Sequence, residues 1–356
     1  MAILFWHATQ NAVDYVDSPL LTTTPSGSPA VIGPLHTAGN QILDANGRAV
    51  VLRGIQRYGL ESDGPDPNFN ENDIAHAKQW GANLVRVSLG EERWLAGSCG
   101  YDPAYTTKVD NIVKWVTQLG MVAVLDLHFN AIAPCSRPGL QEMADAPNAI
   151  TFWRQVAQRY RSNPLVAFEL YNEPHDISDA VWRNGGPVNQ AGVTFVAAGM
   201  QQLYDAVRSQ AANNLVFVSG NQWATQFPST APLAGYNIVY GVHAYTCPAN
   251  PPPTCGSSDP YDPPALLNPW VSVATRVPVM ITEFGWPDRN DGRYMANVIK
   301  FAQVHGWGWV AFAWDGSTSG QFDLLADVGP DANYVPTPSG MAVLGGLLSG
   351  EPQQTR

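Results

Sequence analysis

Val166-Ala-Phe-Glu-Leu-Tyr171-Asn172-Glu173-Pro174-His175 is an apolar, strand-like run that ends in Asn-Glu-Pro. Proline has no backbone N–H with which to continue a ladder, so Pro174 ends the strand and leaves the Glu173 carboxyl at the rim of a sheet. One carboxyl at a rim decides little. A second stretch, Val279-Met-Ile-Thr-Glu283-Phe-Gly285, has the same build further along the chain.

Working outward from these two stretches, strand-like runs alternate with helix-like ones. The expected strands are 51–57, 82–88, 121–128, 165–172, 214–220, 237–243, 279–284 and 308–314. Helical periodicity is read over 71–80, 103–119, 149–160, 190–212, 264–274, 292–305 and 339–348, with Val109, Ile112, Val113 and Val116 as one apolar stripe. Parallel strands need crossover helices and are covered on both faces. Eight apolar strands separated in this way predict an α/β fold, a (β/α)8 TIM barrel. A short N-terminal hairpin over 41–51, turning at Asn46-Gly47, is expected to close one end. Residues 1–34 read as an N-terminal tail, 35–350 as a single barrel domain and 351–356 as a C-terminal tail. The competing architecture, an open doubly wound sheet, lacks a Gly-rich phosphate loop after any strand.

A chain of 356 residues suits one large barrel, and 45% hydrophobic residues with 12 Trp supply its core and leave aromatics for a binding surface. A formal net charge of −11 with no basic run argues against nucleic acid, which is bound through Lys and Arg on phosphate. No apolar run approaches the roughly 18 residues of a membrane span. The opening residues hold no signal-peptide core, so a secreted or extracellular setting requires a signal peptide outside this sequence. Cys99, Cys135, Cys247 and Cys255 allow three pairings. The preferred ones are Cys247 with Cys255, which bracket a Pro-rich loop, and Cys99 with Cys135, which both follow expected strands. Two such bridges imply an oxidising compartment; four free thiols in a cytosolic protein are the alternative.

Barrels of this type carry their sites at the C-terminal strand ends. Those ends offer Arg86 on the second strand, Asp126 and His128 on the third, Asn172 and Glu173 on the fourth, His243 and Tyr245 on the sixth, Glu283 on the seventh, and Trp314 and Asp315 on the eighth. Over about 38–348 the chain resembles glycoside hydrolase family 5, the cellulase and mannanase group of retaining barrel enzymes. The family's set of Arg, His, Asn-Glu, His-x-Tyr, Glu and Trp matches Arg86, His128, Asn172-Glu173, His243-x-Tyr245, Glu283 and Trp314 in order.

The resemblance implies that Glu173 is the acid/base and Glu283 the nucleophile of a double displacement at a β-glycosidic bond. It also implies that Arg86 and Tyr245 hold Glu283 ionised, that Asn172 meets the sugar 2-hydroxyl, that His128 and His243 orient substrate and carboxylates, and that Trp314 stacks beneath the reacting sugar. Trp94, Trp223 and Trp286 follow strand ends and are candidate sugar platforms, because aromatic faces match the C–H faces of sugars. Glu169 is expected in a structural ion pair, Glu91 and Glu92 in a solvated or substrate-lining loop, and Asp126 and Asp315 in supporting hydrogen bonds.

The implied partner is a carbohydrate, a β-glycan or β-glycoside, with an endo-β-1,4-glucanase as the leading expectation. Exo-acting or disaccharide-releasing β-glycosidases, β-mannanases and glycolipid glycosidases share the catalytic set, and a catalytically silent carbohydrate-binding barrel is the reading from another class. No cofactor, no metal and a monomer are expected. A zinc barrel is disfavoured by the missing His-x-His on the first strand and the missing strand-end lysine.

Overall fold

The computed structural model describes residues 30–61, 69–130, 139–146, 148–190, 193–245, 261–316, 321–329 and 332–349. An antiparallel pair, β1 (His36–Ala38) and β2 (Gln41–Leu43), precedes the barrel. The eight parallel barrel strands are β3 (Arg53–Leu60), β4 (Leu84–Gly90), β5 (Val122–Phe129), β6 (Val166–Glu169), β9 (Val216–Ser219), β10 (Ile238–Ala244), β11 (Val279–Phe284) and β12 (Gly308–Ala311). They close in sequence order, with β12 paired to β3. A second antiparallel pair, β7 (Gly186–Gln190) and β8 (Val193–Ala197), stands between β6 and the next crossover helix.

The expected hairpin over 41–51 forms with its turn at Asn46-Gly47: the Val50 N–H donates to the Ile42 carbonyl at 2.9 Å, the Asp44 N–H to the Arg48 carbonyl at 2.8 Å, and the Asp44 side chain accepts the N–H groups of Asn46 and Arg48. A further turn at Gly39 (φ 57°) adds β1 on its other side. One expectation is corrected. The long helix expected over 190–212 is β8 followed by the helix Met200–Arg208. Gly185 and Gly186 take φ of 76° and 137°, and Val193-Thr-Phe-Val196 is a β-branched and aromatic run that favours a pleated surface. Val188, Phe195 and Ala197 are buried while Asn189, Thr194 and Val196 are exposed, an alternation with period two.

Every second strand residue points into the barrel. Leu84, Val122, Val124, Ala167, Phe217, Val239, Met280 and Val310 form an apolar plug there, joined from below by Val31 and Leu35. The end of the expected N-terminal tail therefore packs on the barrel floor. Two residues further up the strands the same parity delivers Arg86, Asp126, Glu169 and Ser219, all fully buried, so the apolar floor gives way to a polar layer. The pairings of β11 shift register beside Glu283 on both sides, as bulges near sites do.

Among the described residues no helix is long and apolar enough to cross a membrane. Cys99 is held in a disulfide. Cys135, Cys247 and Cys255 lie outside the described residues, as does the Pro-rich loop between the last two.

Candidate active site

Arg86 organises the floor of the mouth. It is fully buried on β4, and its fork is divided among five groups. Nε donates to Glu169 Oε2 at 2.6 Å, one terminal nitrogen to Gln56 at 2.5 Å and Glu283 Oε2 at 2.6 Å, and the other to Asn172 Oδ1 at 2.8 Å. Asp126 Oδ2 lies 3.1 Å from that second nitrogen. A planar guanidinium holds several acceptors in fixed directions, which a lysine ammonium cannot do. Glu169 is thus the structural ion-pair partner expected of it, and Ser219 donates to its other oxygen at 3.1 Å.

The two carboxylates sit in different surroundings. Glu283 accepts from Arg86 on one oxygen and from the Tyr245 hydroxyl on the other at 2.6 Å. Burial pushes its pKa up, but the charges of His243, Arg86 and His128 and the Tyr245 hydrogen bond outweigh burial and hold it at about 2. Burial raises the Tyr245 phenol well above its usual range, and the adjacent Glu283 adds to this, so Tyr245 remains a donor. Glu173 is more exposed, with 15% of its side chain accessible, and its Oε1 meets His243 Nδ1 at 2.7 Å. Burial lowers the His243 pKa, yet the charges of Glu283 and Glu173 raise it above the ordinary value, so the ring donates to Glu173. One donor atom each of Glu173, His243 and Glu283 lie within 4.8 Å of one another. The same three atoms are close enough to hold a cation. Both Glu283 oxygens are already engaged, however, and the guanidinium beside them repels a second positive charge.

His128 Nδ1 pairs with Asp126 Oδ2 at 2.6 Å. Burial opposes its protonation, but Asp126 by charge and hydrogen bond, and then Glu283, raise its pKa to about 9. Asn172 Nδ2 stands 3.4 Å from His128 Nε2. Arg86, His128, Asn172, Glu173, His243, Tyr245 and Glu283 therefore share one mouth.

Trp314 does not face that mouth. β12 ends at Ala311 rather than at residue 314, and the chain folds back with the Trp314 N–H on the Gln56 carbonyl at 3.0 Å. Its indole is fully buried, donates to Asp73 at 2.8 Å, and packs edge-on against Trp80. The aromatic at the rim is Phe312, half-buried beside Tyr58 at 5.6 Å and Phe322 at 5.7 Å. Phe312 and Trp314 share the parity of the inward-facing Val310, so only the end of β12 at Ala311 separates them.

Trp94 is buried against Tyr105 and Phe152 and cannot serve as a platform. Trp286 is half-buried with Tyr261 at 5.1 Å and Tyr294 at 5.3 Å. Trp223 is 45% exposed and stacks on His175 at 3.7 Å. The Trp223 backbone N–H donates to the Pro174 carbonyl at 2.9 Å, which ties this turn to the Glu173 loop. Gln222, Trp223 and Ala224 hold φ of 52°, 60° and 56°, a run of left-handed residues that carries strain at the rim. Glu91 and Glu92 are not solvated; they open the short helix Glu91–Trp94 and are buried. Asp315 accepts from Tyr58 and from the Gly316 N–H, the latter at 2.7 Å.

The cellulase model of glycosyl hydrolase family 5 matches residues 43–318. Endoglucanase CelA of Streptomyces lividans is 27% identical over 273 residues, 73% of this chain and 50% of that protein. Endoglucanase MaCel5A of Microbulbifer sp. (strain ALW1) is 28% identical over 225 residues, 60% of this chain and 39% of that one. The chain thus spans half or less of the length of these curated relatives. The catalytic domain of Thermobifida fusca endoglucanase Cel5A has a TM-score of 0.66 at 20% identity, covering 88% of this chain and 97% of that one. The β-glucanase SdGluc5_26A of Saccharophagus degradans, solved with cellotetraose, has a TM-score of 0.64 at 20% identity over 94% of this chain and 99% of that one. Both structural likenesses speak to the fold.

Proposed function

The chain belongs to glycosyl hydrolase family 5, and from that premise we propose that it is a retaining β-glycan hydrolase of the endo-β-1,4-glucanase kind. The observation that carries the reading is the close, unequal pair of carboxyls. Oxygens of Glu173 and Glu283 lie within 4.8 Å, in keeping with the roughly 5 to 5.5 Å separation of retaining enzymes and too near to admit a water between them as inversion requires. Glu283, held at about 2, is ionised throughout the working range and is the nucleophile. Glu173, with one imidazole partner and partial exposure, is the proton carrier.

In the first step Glu173 gives its proton to the glycosidic oxygen while Glu283 attacks the anomeric carbon. The C–O bond to the leaving sugar breaks and a glycosyl ester forms on Glu283. In the second step Glu173, now a carboxylate, takes a proton from water, the water oxygen attacks the same carbon, and the ester bond returns its electrons to Glu283. Two inversions give retention. Asn172, held by Arg86, is placed to meet the 2-hydroxyl. The names of the relatives, endoglucanases by description, support a β-1,4-glucan as substrate.

We further read the protein as secreted, with Cys99 joined to Cys135 and Cys247 to Cys255. Non-reducing mass spectrometry of the unreduced chain is expected to find no alkylatable thiol, and four would overturn the extracellular reading.

The function is tested with Glu283→Gln and Glu173→Gln on aryl β-cellobiosides of graded leaving-group ability. Glu283→Gln is expected to abolish turnover. Glu173→Gln is expected to slow poor leaving groups by about 100-fold or more and good ones far less, because only the former need the proton. Equal losses across the series, or a product of inverted anomeric configuration by NMR, would refute the mechanism.

A further inference from the structure

Glu283 and Glu173 are placed by different means. Glu283 lies inside β11, paired with His243 of β10, and its neighbour Phe284 is paired with Ala311 of β12. β6 ends at Glu169, so Glu173 stands beyond the ladder on irregular backbone before Pro174, and its carboxyl meets His243 alone among the described residues. Something other than the sheet fixes the start of its side chain. Two neighbouring loops supply the holds. From one side the Tyr171 hydroxyl accepts the Gln141 N–H at 3.1 Å and donates to the Gln141 carbonyl at 2.7 Å, and the His175 N–H donates to the Glu142 carbonyl at 3.0 Å. From the other, the Trp223 backbone N–H meets the Pro174 carbonyl at 2.9 Å. His175 is the residue that touches both. Its ring is buried, lies flat on Trp223 with centroids 3.7 Å and planes 16° apart, and brings Nδ1 to 2.8 Å from the Glu173 carbonyl oxygen. A carbonyl oxygen only accepts, which assigns a hydrogen to Nδ1.

We propose that His175 is the positioning residue of the acid/base: its Nδ1–H bond to the Glu173 carbonyl, with its ring clamped on Trp223, fixes the Glu173 peptide and so aims the carboxyl at the glycosidic oxygen. This role rests on the glycosidase reading above and deepens it. The bond runs to the backbone of Glu173, not to its carboxyl, so His175 sets where the side chain begins and leaves its charge to His243. A glutamate carboxyl sits at the end of three rotatable bonds, and a small turn of the peptide at their base is carried outward as a larger displacement. A misplacement of about 1 Å at a reacting group costs about 100-fold. Glu283, held by the β11 ladder, Arg86 and Tyr245, does not depend on this brace. Loosening the brace therefore slows proton transfer and spares nucleophilic attack.

The test compares kcat/KM on phenyl β-cellobioside, a poor leaving group, and 2,4-dinitrophenyl β-cellobioside, a good one, for the full chain, His175→Phe and His175→Asn. Phenylalanine keeps a flat ring for Trp223 and loses the donor; asparagine gives up the ring and keeps an N–H donor near the position of Nδ1. His175→Phe is expected to lose about tenfold or more on the phenyl substrate and far less on the dinitrophenyl one, because only the former needs the proton. His175→Asn is expected to keep the wild-type ratio of the two. Equal losses on both substrates in His175→Phe, or a ratio in His175→Asn shifted as far as in His175→Phe, would overturn the positioning role and leave the glycosidase reading intact. Glu173→Gln on the same pair answers for that reading: if it too falls equally on both, the acid/base assignment fails and the role of His175 with it. Thermal melting checks that each variant folds. Should His175→Phe not fold, heteronuclear NMR of the His175 ring in the unaltered chain carries the test, with a protonated Nδ1 expected and a ring protonated at Nε2 alone overturning the brace.

Discussion

Replacing Tyr245 by Phe tests how the mouth keeps Glu283 ionised. The substitution removes one oxygen and leaves the ring against Phe322 at 5.9 Å, so the packing persists. What goes is the 2.6 Å hydrogen bond to Glu283 Oε1. The Glu283 pKa falls from 4.5 to about 2 against the push of burial, through His243, Arg86, His128 and last the Tyr245 hydrogen bond. That net shift corresponds to about 3 kcal/mol favouring the ionised form. The Tyr245 bond is the smallest of the four favourable contributions, so its loss leaves most of the depression in place.

The acid limb of kcat/KM is therefore expected to rise by up to about one pH unit in Tyr245→Phe. At its plateau kcat should drop by roughly tenfold, since the carboxylate also loses its orientation. The assay is initial rates on aryl β-cellobioside between pH 2 and 6, with brief exposure to acid and a melting control at each pH. An acid limb that superimposes on wild type, with kcat unchanged, would show that Tyr245 neither stabilises nor orients Glu283.

Because the folded-state pKa of Glu283 is depressed, its contribution to stability is complete above about 4.5 and is lost as pH falls through about 2; Glu283→Gln should flatten the fall of Tm across that interval. His128 runs the opposite way. Its pKa is raised to about 9, so its contribution is complete below about 6.5 and is lost as pH rises through 9, and a melting series from pH 6 to 10 should show a decline that His128→Asn lacks. Trp314→Ala should lower stability by about 3 to 5 kcal/mol in denaturant melts, as removal of a fully buried tryptophan does. Phe312→Ala should instead cost kcat/KM with a smaller loss of stability, and the reverse assignment of effects would place Trp314 back at the sugar.

Much of this protein is legible in its sequence. Barrel strands are buried on both faces and their crossovers bury one stripe, so the alternation of short apolar runs with helical periodicity, from Val51 through Leu348, determined the fold. Polar residues at the strand ends of such a barrel converge on one mouth, so the meeting of Arg86, His128, Asn172, Glu173, His243, Tyr245 and Glu283 was legible from position and type, while the same rule also put Trp314 there, which the structure sends to the core. The β-branched run at 193–196 fits either period over so short a window, so the sequence does not separate strand from helix there.

Tertiary structure decided the rest. Whether an aromatic near a strand end faces the mouth or the core depends on where the strand stops, and β12 stops three residues before Trp314, sending that indole to Asp73 and leaving Phe312 at the rim. Trp94 and Trp223 both follow strand ends in the sequence, yet one is buried against Tyr105 and the other stands exposed on His175. The difference between the two glutamates is likewise tertiary. Both end apolar runs before a loop, and only the closed barrel brings Arg86 and Tyr245 onto Glu283, whose pKa they help to hold low, and His243 onto Glu173. Charges from separate strands reach one carboxyl only when the barrel closes, which is why residue type and order reveal the pair but not the division of labour within it.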